Sequence, residues 1–440
     1  MLTQLKSVLG DTNVLTSADV MAAYCQDWSG QLRSTPIAVV TPHQAEQVVD
    51  VLRIATEFDI AVVTQGGNTS LVGGAVGGDW PHIILSTRKL RERMDFDATT
   101  RQLTVSAGYT ISEVQAFARS VGLEYRVDLA SRDSATIGGT VATNAGGIRV
   151  IAHGMTRAQV LGIEMVLSDG EVLDHLNSLP KDNTGPDVTG LAVGSEGTLG
   201  VITAVRVQLH SPRVAVWTAL VPMQSVDAAI AFCQPLIPQL LAAELFSARA
   251  ANEVAAFKNI TSLPSTSEWF LLVEGDGEMP IDALPADAMV ATQSSDVEKF
   301  WMYRELQTEV ISHHSSVIKI DVSVALSELN DFVENVKSTA LDLGHVEDDV
   351  YFFGHVMDGN LHIAIANCVD HHELSDSVIA LVVEAGGAIS AEHGIGQLKN
   401  QYLPLVRTGR ELELFWSVRR AFDPTGLMNP HVLCQTHNHA

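Results

Sequence analysis

The sequence predicts an α+β protein built from more than one domain. Three observations carry this. Its 440 residues exceed what one hydrophobic core organises, so two or three domains are expected. From Pro36 to about residue 212, short β-branched runs alternate with helical spacing and glycine-rich turns. From 213 onward glycine thins and the helical stretches lengthen, which reads as a second α+β domain, with an antiparallel sheet. The expected organisation is 1–212 with an N-terminal helical segment, then 213–420, then a turn-rich segment, 421–440, returning to the first domain.

Each element has its own signal. The first part of the chain, to about residue 30, reads as amphipathic helix and loop. "PIAVVTP" is a short strand. "HQAEQVVDVLRIATEFD" has helical spacing, with Val48, Val49, Leu52 and Ile54 as core contacts. "IAVVTQ" is the next strand and runs straight into glycine. "QLTVSAG" and "GIEMVLSDGEVL" follow as strands or hairpins. The glycine density drops near His210-Ser211-Pro212. "WMYRELQTEV" reads as helix, and "SSVIKIDVSV" as strand. "YFFGHV" and "LHIAIA" are strand-like, being rich in aromatic and β-branched residues.

Composition narrows the partners. Hydrophobic residues make up 46% of the chain and charged residues 18%, the balance of a globular protein. Acidic residues outnumber basic ones 52 to 27, a formal net charge of -25. No basic field exists to neutralise phosphates, so a nucleic-acid partner is excluded. An anionic substrate would need a local cationic pocket. Cys25, Cys233, Cys368 and Cys434 form no CxxC pair, so reduced thiols are expected. "MLTQLKSVLG" lacks the marks of a signal peptide, and no uncharged apolar run approaches membrane-spanning length. The expected location is the cytoplasm, with peripheral membrane association left open.

Three stretches concentrate glycine: "QGGNTSLVGGAVGG" (Gln65–Gly78), "SATIGGTVATNAGG" (Ser134–Gly147) and "GSEGTLG" (Gly194–Gly200). Glycine lets backbone N–H groups approach a ligand, which suits a phosphate cradle. None is a dinucleotide fingerprint or a P-loop. Tight turns in a β-rich domain would also explain each alone. Three clusters with interspersed Ser, Thr and Asn favour a diphosphate cofactor.

"GHVMDGNLHIAIAN" (Gly354–Asn367) sets His355 and His362 around Asp358-Gly359. Asp-Gly favours a two-residue type I′ turn, which would place His355 directly opposite His362. Two imidazoles so placed could share a metal; an incidental surface hairpin is the plain alternative. "GGAISAEHGIGQLK" offers Glu392 and His393 in a glycine-flanked loop. Arg304 and Thr308 fall four apart on the expected helix, hence on one face, and Lys319 on the following strand. Any of these charges alone would more often be solvated surface.

The order of "GGNTSLVGGAV", "IGGTVATNAGG" and "VGSEGTLGVIT" closely resembles the FAD-binding domain of the vanillyl-alcohol oxidase / p-cresol methylhydroxylase superfamily. "GHxxDGNLH" followed by "SAEHGIG" resembles its FAD-linked D-2-hydroxy-acid dehydrogenase branch, which includes D-2-hydroxyglutarate, D-lactate and glycolate dehydrogenases. The resemblance covers about Ala38 to Asn429 and implies the two-part FAD-binding domain of that superfamily plus an α+β substrate (cap) domain. It implies that Gly66, Gly67, Asn68, Thr69 and Gly74 cradle the FAD pyrophosphate. Gly138, Gly139, Thr143, Asn144 and Gly147 would line the flavin. Glu196, Gly197, Ile202 and Asn429 would also serve the cofactor. Gln65 stands where many members carry arginine, so one phosphate contact is neutral here. Asn68 stands where covalent members carry histidine, which implies non-covalent FAD.

The same resemblance makes His355, His362 and Glu392 ligands of a divalent metal, usually zinc, and His393 the general base. Manganese or iron would also suit these ligand types. The spacing of Arg304, Thr308 and Lys319 resembles a D-2-hydroxyglutarate pocket. Ala364 departs from it, since those enzymes carry asparagine there. The implied reaction oxidises a D-2-hydroxy acid to the 2-oxo acid, with hydride to flavin N5. An electron-transfer flavoprotein or a quinone is the implied acceptor, and a homodimer is left open. D-lactate or glycolate oxidation is the competing activity, and a flavin-binding redox sensor the competing non-enzyme function.

Overall fold

A computed structural model describes residues 1–176, 179, 181–213, 216–264, 267–368 and 370–433; Cys434 lies outside them. The chain divides into two compact units. The first comprises Met1–Gly147, His153–Pro212 and Glu392–Ala440. The second comprises Ile148–Ala152 and Arg213–Ala391.

Among the described residues, the first unit holds two sheets. The smaller contains β1 (Val14–Leu15), β2 (Ala38–Val40), β3 (Ala61–Gln65) and β4 (His82–Ser86), in the order β1-β2-β4-β3. β4 runs parallel to both β2 and β3. The helix Ala45–Glu57 is the crossover that carries the chain from β2 to β3, the two parallel strands that flank β4. That helix buries Val48, Val51, Leu52, Ile54 and Ala55, an i, i+3, i+4 stripe; Val49 is only partly buried at its margin. The larger sheet is antiparallel: β5 (Met94–Asp97), β6 (Gln102–Ser106), β7 (Val160–Val166), β8 (Val172–Asp174) and β9 (Val201–Gln208), in the order β5-β6-β9-β7-β8. Helices Ile111–Ser120 and Ile137–Thr143 contribute to its core. Thr110 and Glu113 close a capping box at the start of the first of these.

Val418 and Phe422, from helix Gly409–Phe422, pack on that same core. The second unit therefore ends at Ala391, not near residue 420, because this helix finds its apolar partners in the first unit. The opening boundary lies at Pro212/Arg213.

The second unit is built on a seven-stranded antiparallel sheet. Its strands are β10 (Val216–Met223), β11 (Leu240–Ser247), β12 (Trp269–Asp276), β13 (Met289–Val290), β14 (Ile318–Ser323), β15 (Val350–His355) and β16 (Asn360–Ile365), in the order β13-β10-β12-β11-β15-β16-β14. β10, β11, β12 and β15 bury consecutive residues, so both faces are covered. Phe246, Phe270, Tyr351 and Phe353 pack with Ala251, Phe300, Trp301 and Tyr303 from helices Ala248–Lys258 and Ser294–Glu305. A second set, Val226–Cys233, Leu329–Asp342 and His371–Glu384, packs together and against β11 and β14.

Candidate active site and cofactor cradle

The hairpin differs from the expected two-residue turn. Asp358 does not take a positive φ, which a type I′ turn requires. A short 3₁₀ turn, Val356–Asp358, precedes Gly359 at φ 75°. A Cβ on Gly359 would lie 2.2 Å from the Val324 carbonyl oxygen, so glycine is needed for approach as well as for φ. The longer turn shifts the register by two residues, and Phe353 rather than His355 faces His362. A two-residue shift preserves the face because the side-chain period is two. His355 and His362 are therefore diagonal neighbours, with ring centroids 5.6 Å apart at 77°.

Their partners come from strands far away in sequence. Glu244 on β11 faces His355, and Asp321 on β14 faces His362. His355 Nδ1 hydrogen-bonds with one Glu244 oxygen, while Arg304 Nε donates to the other at 2.5 Å. Glu244 is fully buried. Burial alone would push its carboxyl up, but the flanking His355 and Arg304 outweigh that and hold it at about 2. His362 Nδ1 lies 3.4 Å from Asp321 Oδ1. Asp321 also accepts the Asn360 amide at 2.8 Å and the Ala391 N–H at 3.1 Å. Each imidazole thus turns Nδ1 to a buried carboxylate, which leaves Nε2 as the atom by which it would ligate.

Arg304 is buried, and its guanidinium lies over the Phe353 ring at 5.0 Å. It does not share a helix with Thr308, because the helix breaks at Leu306 and a second begins at Gln307. The Gln307 side-chain amide donates to the Tyr303 carbonyl at that break. Thr308 instead meets Lys319: the ammonium donates to the Thr308 carbonyl at 3.4 Å and to Ser312 Oγ at 2.5 Å. Burial lowers the Lys319 pKa. Ala364 is buried on β16, with Lys319 opposite it on β14 and Tyr351 on β15. Glu244, Asp321 and Asn360 escaped the sequence reading. The available signal was a lone acid inside an apolar strand run, "LLAAELFS" or "IKIDVS", which buries only if paired.

The first unit assembles the glycine segments. A Cβ on Gly67 would meet the Ser134 carbonyl oxygen at 2.1 Å, and one on Gly138 the Ala107 Cβ at 2.5 Å. The second segment contains a helix, Ile137–Thr143, whose cap Thr136 accepts the Gly139 N–H and which ends in left-handed Asn144. Thr143 Oγ1 donates to the Gly139 carbonyl, and Asn144 Oδ1 accepts the Arg157 N–H. Asn68 is also left-handed (φ 53°). Its Oδ1 and Thr64 Oγ1 are buried without a partner among the described residues, which fits a polar ligand. Gln65 is buried, and its amide donates to the Tyr24 and Ala75 carbonyls, so it braces the loop.

Asn429 ties the first and third segments, donating to the carbonyls of Gly74 and Glu196 at 2.8 Å each. The Glu196 carboxylate accepts the Ile395 and Gly396 N–H groups, just after Glu392 and His393. Glu392 accepts the Gly147 N–H at 3.0 Å, and one of its oxygens lies 3.7 Å from His393 Nε2. These two residues follow directly on Ala391. Thr69, Gly197 and Ile202 lie in or beside the same segments, with Ile202 buried on β9.

Comparison with known proteins agrees with this anatomy. Residues 36–175 match an FAD binding domain, and residues 213–433 match the C-terminal domain of FAD linked oxidases. A D-2-hydroxyglutarate dehydrogenase of Xanthomonas citri pv. viticola is 34% identical over 94% of this chain and 93% of its own. A mitochondrial D-2-hydroxyglutarate dehydrogenase of Danio rerio is 32% identical, covering 95% and 82%. In structure the chain is similar to p-cresol methylhydroxylase (TM-score 0.79, 16% identity, covering 100% and 97%). It is also similar to the 4-ethylphenol oxidase of Gulosibacter chungangensis (TM-score 0.76, 16% identity, covering 98% and 96%). Among the described residues, no helix is long and apolar enough to cross a membrane. With the glycine cradle in one unit and the histidine-bearing sheet in the other, the chain belongs to the family of FAD-linked oxidoreductases that includes the D-2-hydroxyglutarate dehydrogenases.

Proposed function

We propose that the chain oxidises a D-2-hydroxy dicarboxylate of the 2-hydroxyglutarate type to the 2-oxo acid, using non-covalent FAD and a divalent metal, zinc in our reading. His355, His362 and Glu392 would hold the metal. When bound, FAD supplies the hydride acceptor and the metal a Lewis acid for the C1 carboxylate and C2 hydroxyl. His393 takes the hydroxyl proton. Arg304 commits Nε to Glu244, so the fork it offers a carboxylate is made of its two Nη groups. Lys319 adds a point charge, with Thr308 beside it. The acceptor class that fits this reading is an electron-transfer flavoprotein or a quinone.

One observation carries the metal reading: both hairpin histidines turn Nδ1 to a buried carboxylate, the arrangement that orients ligating imidazoles. The relatives' shared name supports the dicarboxylate. A D-lactate or glycolate dehydrogenase is the second reading, favoured by Ala364 and by the neutralisation of Arg304 by Glu244. Anaerobic mixing with a panel of D-2-hydroxy acids decides between them. We expect D-2-hydroxyglutarate to bleach the flavin faster than D-lactate. The reverse order would favour the second reading, and no bleaching by any member would favour a redox sensor. Acid denaturation should release the FAD, because Asn68 offers no nucleophile for a covalent bond.

A further inference from the structure

We infer that Glu244 is a positioning residue that couples metal affinity to the carboxylate-binding arginine. The inference rests on the metal reading above. Glu244 hydrogen-bonds to both functions at once: one oxygen takes His355 Nδ1, and the other takes Arg304 Nε. It is fully buried, so water does not screen the exchange between its two partners. The surroundings hold it from every side. β11 and β15 fix Glu244 against His355 in register. Arg304 is pinned from a third element, with its guanidinium over Phe353. The Phe353 ring in turn lies 5.2 Å from the His362 ring.

The physical consequence is a competition for one carboxylate. A carboxylate on Nδ1 fixes the tautomer and raises the basicity of Nε2, the ligating atom. Arg304 draws on the same carboxylate and so moderates that effect. When a substrate carboxylate occupies the arginine, part of the guanidinium's charge is satisfied elsewhere and Glu244 turns more fully to His355. Substrate binding then tightens the metal, and metal binding tightens the substrate by the same factor. Arg304 would influence the metal without touching it.

The test is a double-mutant cycle on full-length, FAD-loaded protein, stripped of metal and titrated with Zn2+ alone. The variants are Glu244→Gln, Arg304→Ala and their combination, with His362→Ala as control. Loss of such a carboxylate typically weakens metal affinity about 10–100-fold, which is the expected result for Glu244→Gln. Arg304→Ala should tighten Zn2+ several-fold in the wild-type background and leave it unchanged in the Glu244→Gln background. A spacer role alone would not produce that non-additivity. Unchanged Zn2+ affinity in Glu244→Gln, or equal Arg304→Ala effects in both backgrounds, would overturn the inference. If Glu244→Gln fails to hold FAD, Arg304→Ala alone decides, and an unchanged Zn2+ affinity there overturns it. If wild type takes up no Zn2+, or His362→Ala binds it normally, the ligand assignment itself fails and this coupling falls with it.

Discussion

Two buried glutamates, one in each unit, show how differently the two halves of this protein are built. Glu196 belongs to the third glycine segment and its carboxylate is satisfied by backbone, accepting the N–H groups of Ile395 and Gly396. Glu244 lies under the hairpin histidines and is satisfied by side chains, one from His355 and one from Arg304. Burial raises the Glu196 pKa despite its two hydrogen bonds. The same burial at Glu244 is overcome, and its carboxyl falls to about 2. At Glu196 two amide dipoles and the Lys399 charge do not offset the loss of water, whereas at Glu244 the His355 ring and the Arg304 guanidinium do. The cradle is thus a backbone construction whose critical feature is the absence of side chains. The sheet site is a side-chain construction whose critical feature is charge pairing.

The contrast sets which substitutions should hurt, and how. The largest effect is expected at His393, the proposed base. His393→Ala should lose about 10²–10⁴-fold in kcat with substrate affinity kept, because the base goes while the carboxylate-binding groups stay. A normal kcat with a raised KM would move His393 from chemistry to binding. Next comes Arg304→Ala, a side-chain lesion. Losing a charge-assisted contact should cost on the order of 1.5–3 kcal/mol, roughly tenfold to a hundredfold in kcat/KM, on D-2-hydroxyglutarate relative to D-lactate. Equal losses on both substrates would place Arg304 on the shared C1 carboxylate.

Gly67→Ala is the matching backbone lesion. Its Cβ would lie 2.1 Å from the Ser134 carbonyl oxygen, so the loops must separate. Overpacking of this kind costs roughly 1–3 kcal/mol, and weaker FAD retention with unchanged Zn2+ binding is the expected signature. Gly67→Ala protein that holds FAD normally would count against a backbone-built cradle.

The smallest expected effect is on acid stability, and it has opposite signs in the two units. Glu244 has a depressed pKa, so its contribution is present above 4.5 and is lost as pH falls from there through about 2. Glu196 has a raised pKa, so its charged form destabilises the fold, and acidification relieves that cost as the group takes up its proton. On titration from neutral towards acid, hydrogen exchange should therefore rise around β11 and β15 before it rises around the glycine loops. Loss of protection in the reverse order would contradict the assigned signs.

How much of this was legible in the sequence follows the same division. The glycine segments were legible as motifs, because glycine and asparagine announce backbone conformations locally; Asn68 and Asn144 do adopt left-handed φ. The 213 boundary was visible as a drop in glycine. The hairpin histidines were legible as a pair, but their register was not. Asp-Gly suggested the shortest turn, and only the 3₁₀ turn with its Val324 contact shows why the chain takes a longer one. Glu244 was invisible because its partners stand 60 and 111 residues away in the chain, and pairing across strands leaves no local trace. The break at Leu306 was hidden by helical propensity that continues through it.

The turn from Val356 to Gly359 also governs what kind of heritable change this site can survive. Adding or removing one residue there would send the side chains of β16 to the opposite face, carrying His362 away from Asp321 and bringing Leu361 or Ile363 in its place. Single-residue insertions and deletions in the turn should therefore vanish from functional lineages. Point changes beside the site, such as at Ala364 between Lys319 and Tyr351, leave the backbone untouched. Diversification of substrate preference in such a chain should run through substitution, and its gene should show a turn of constant length around residues that vary.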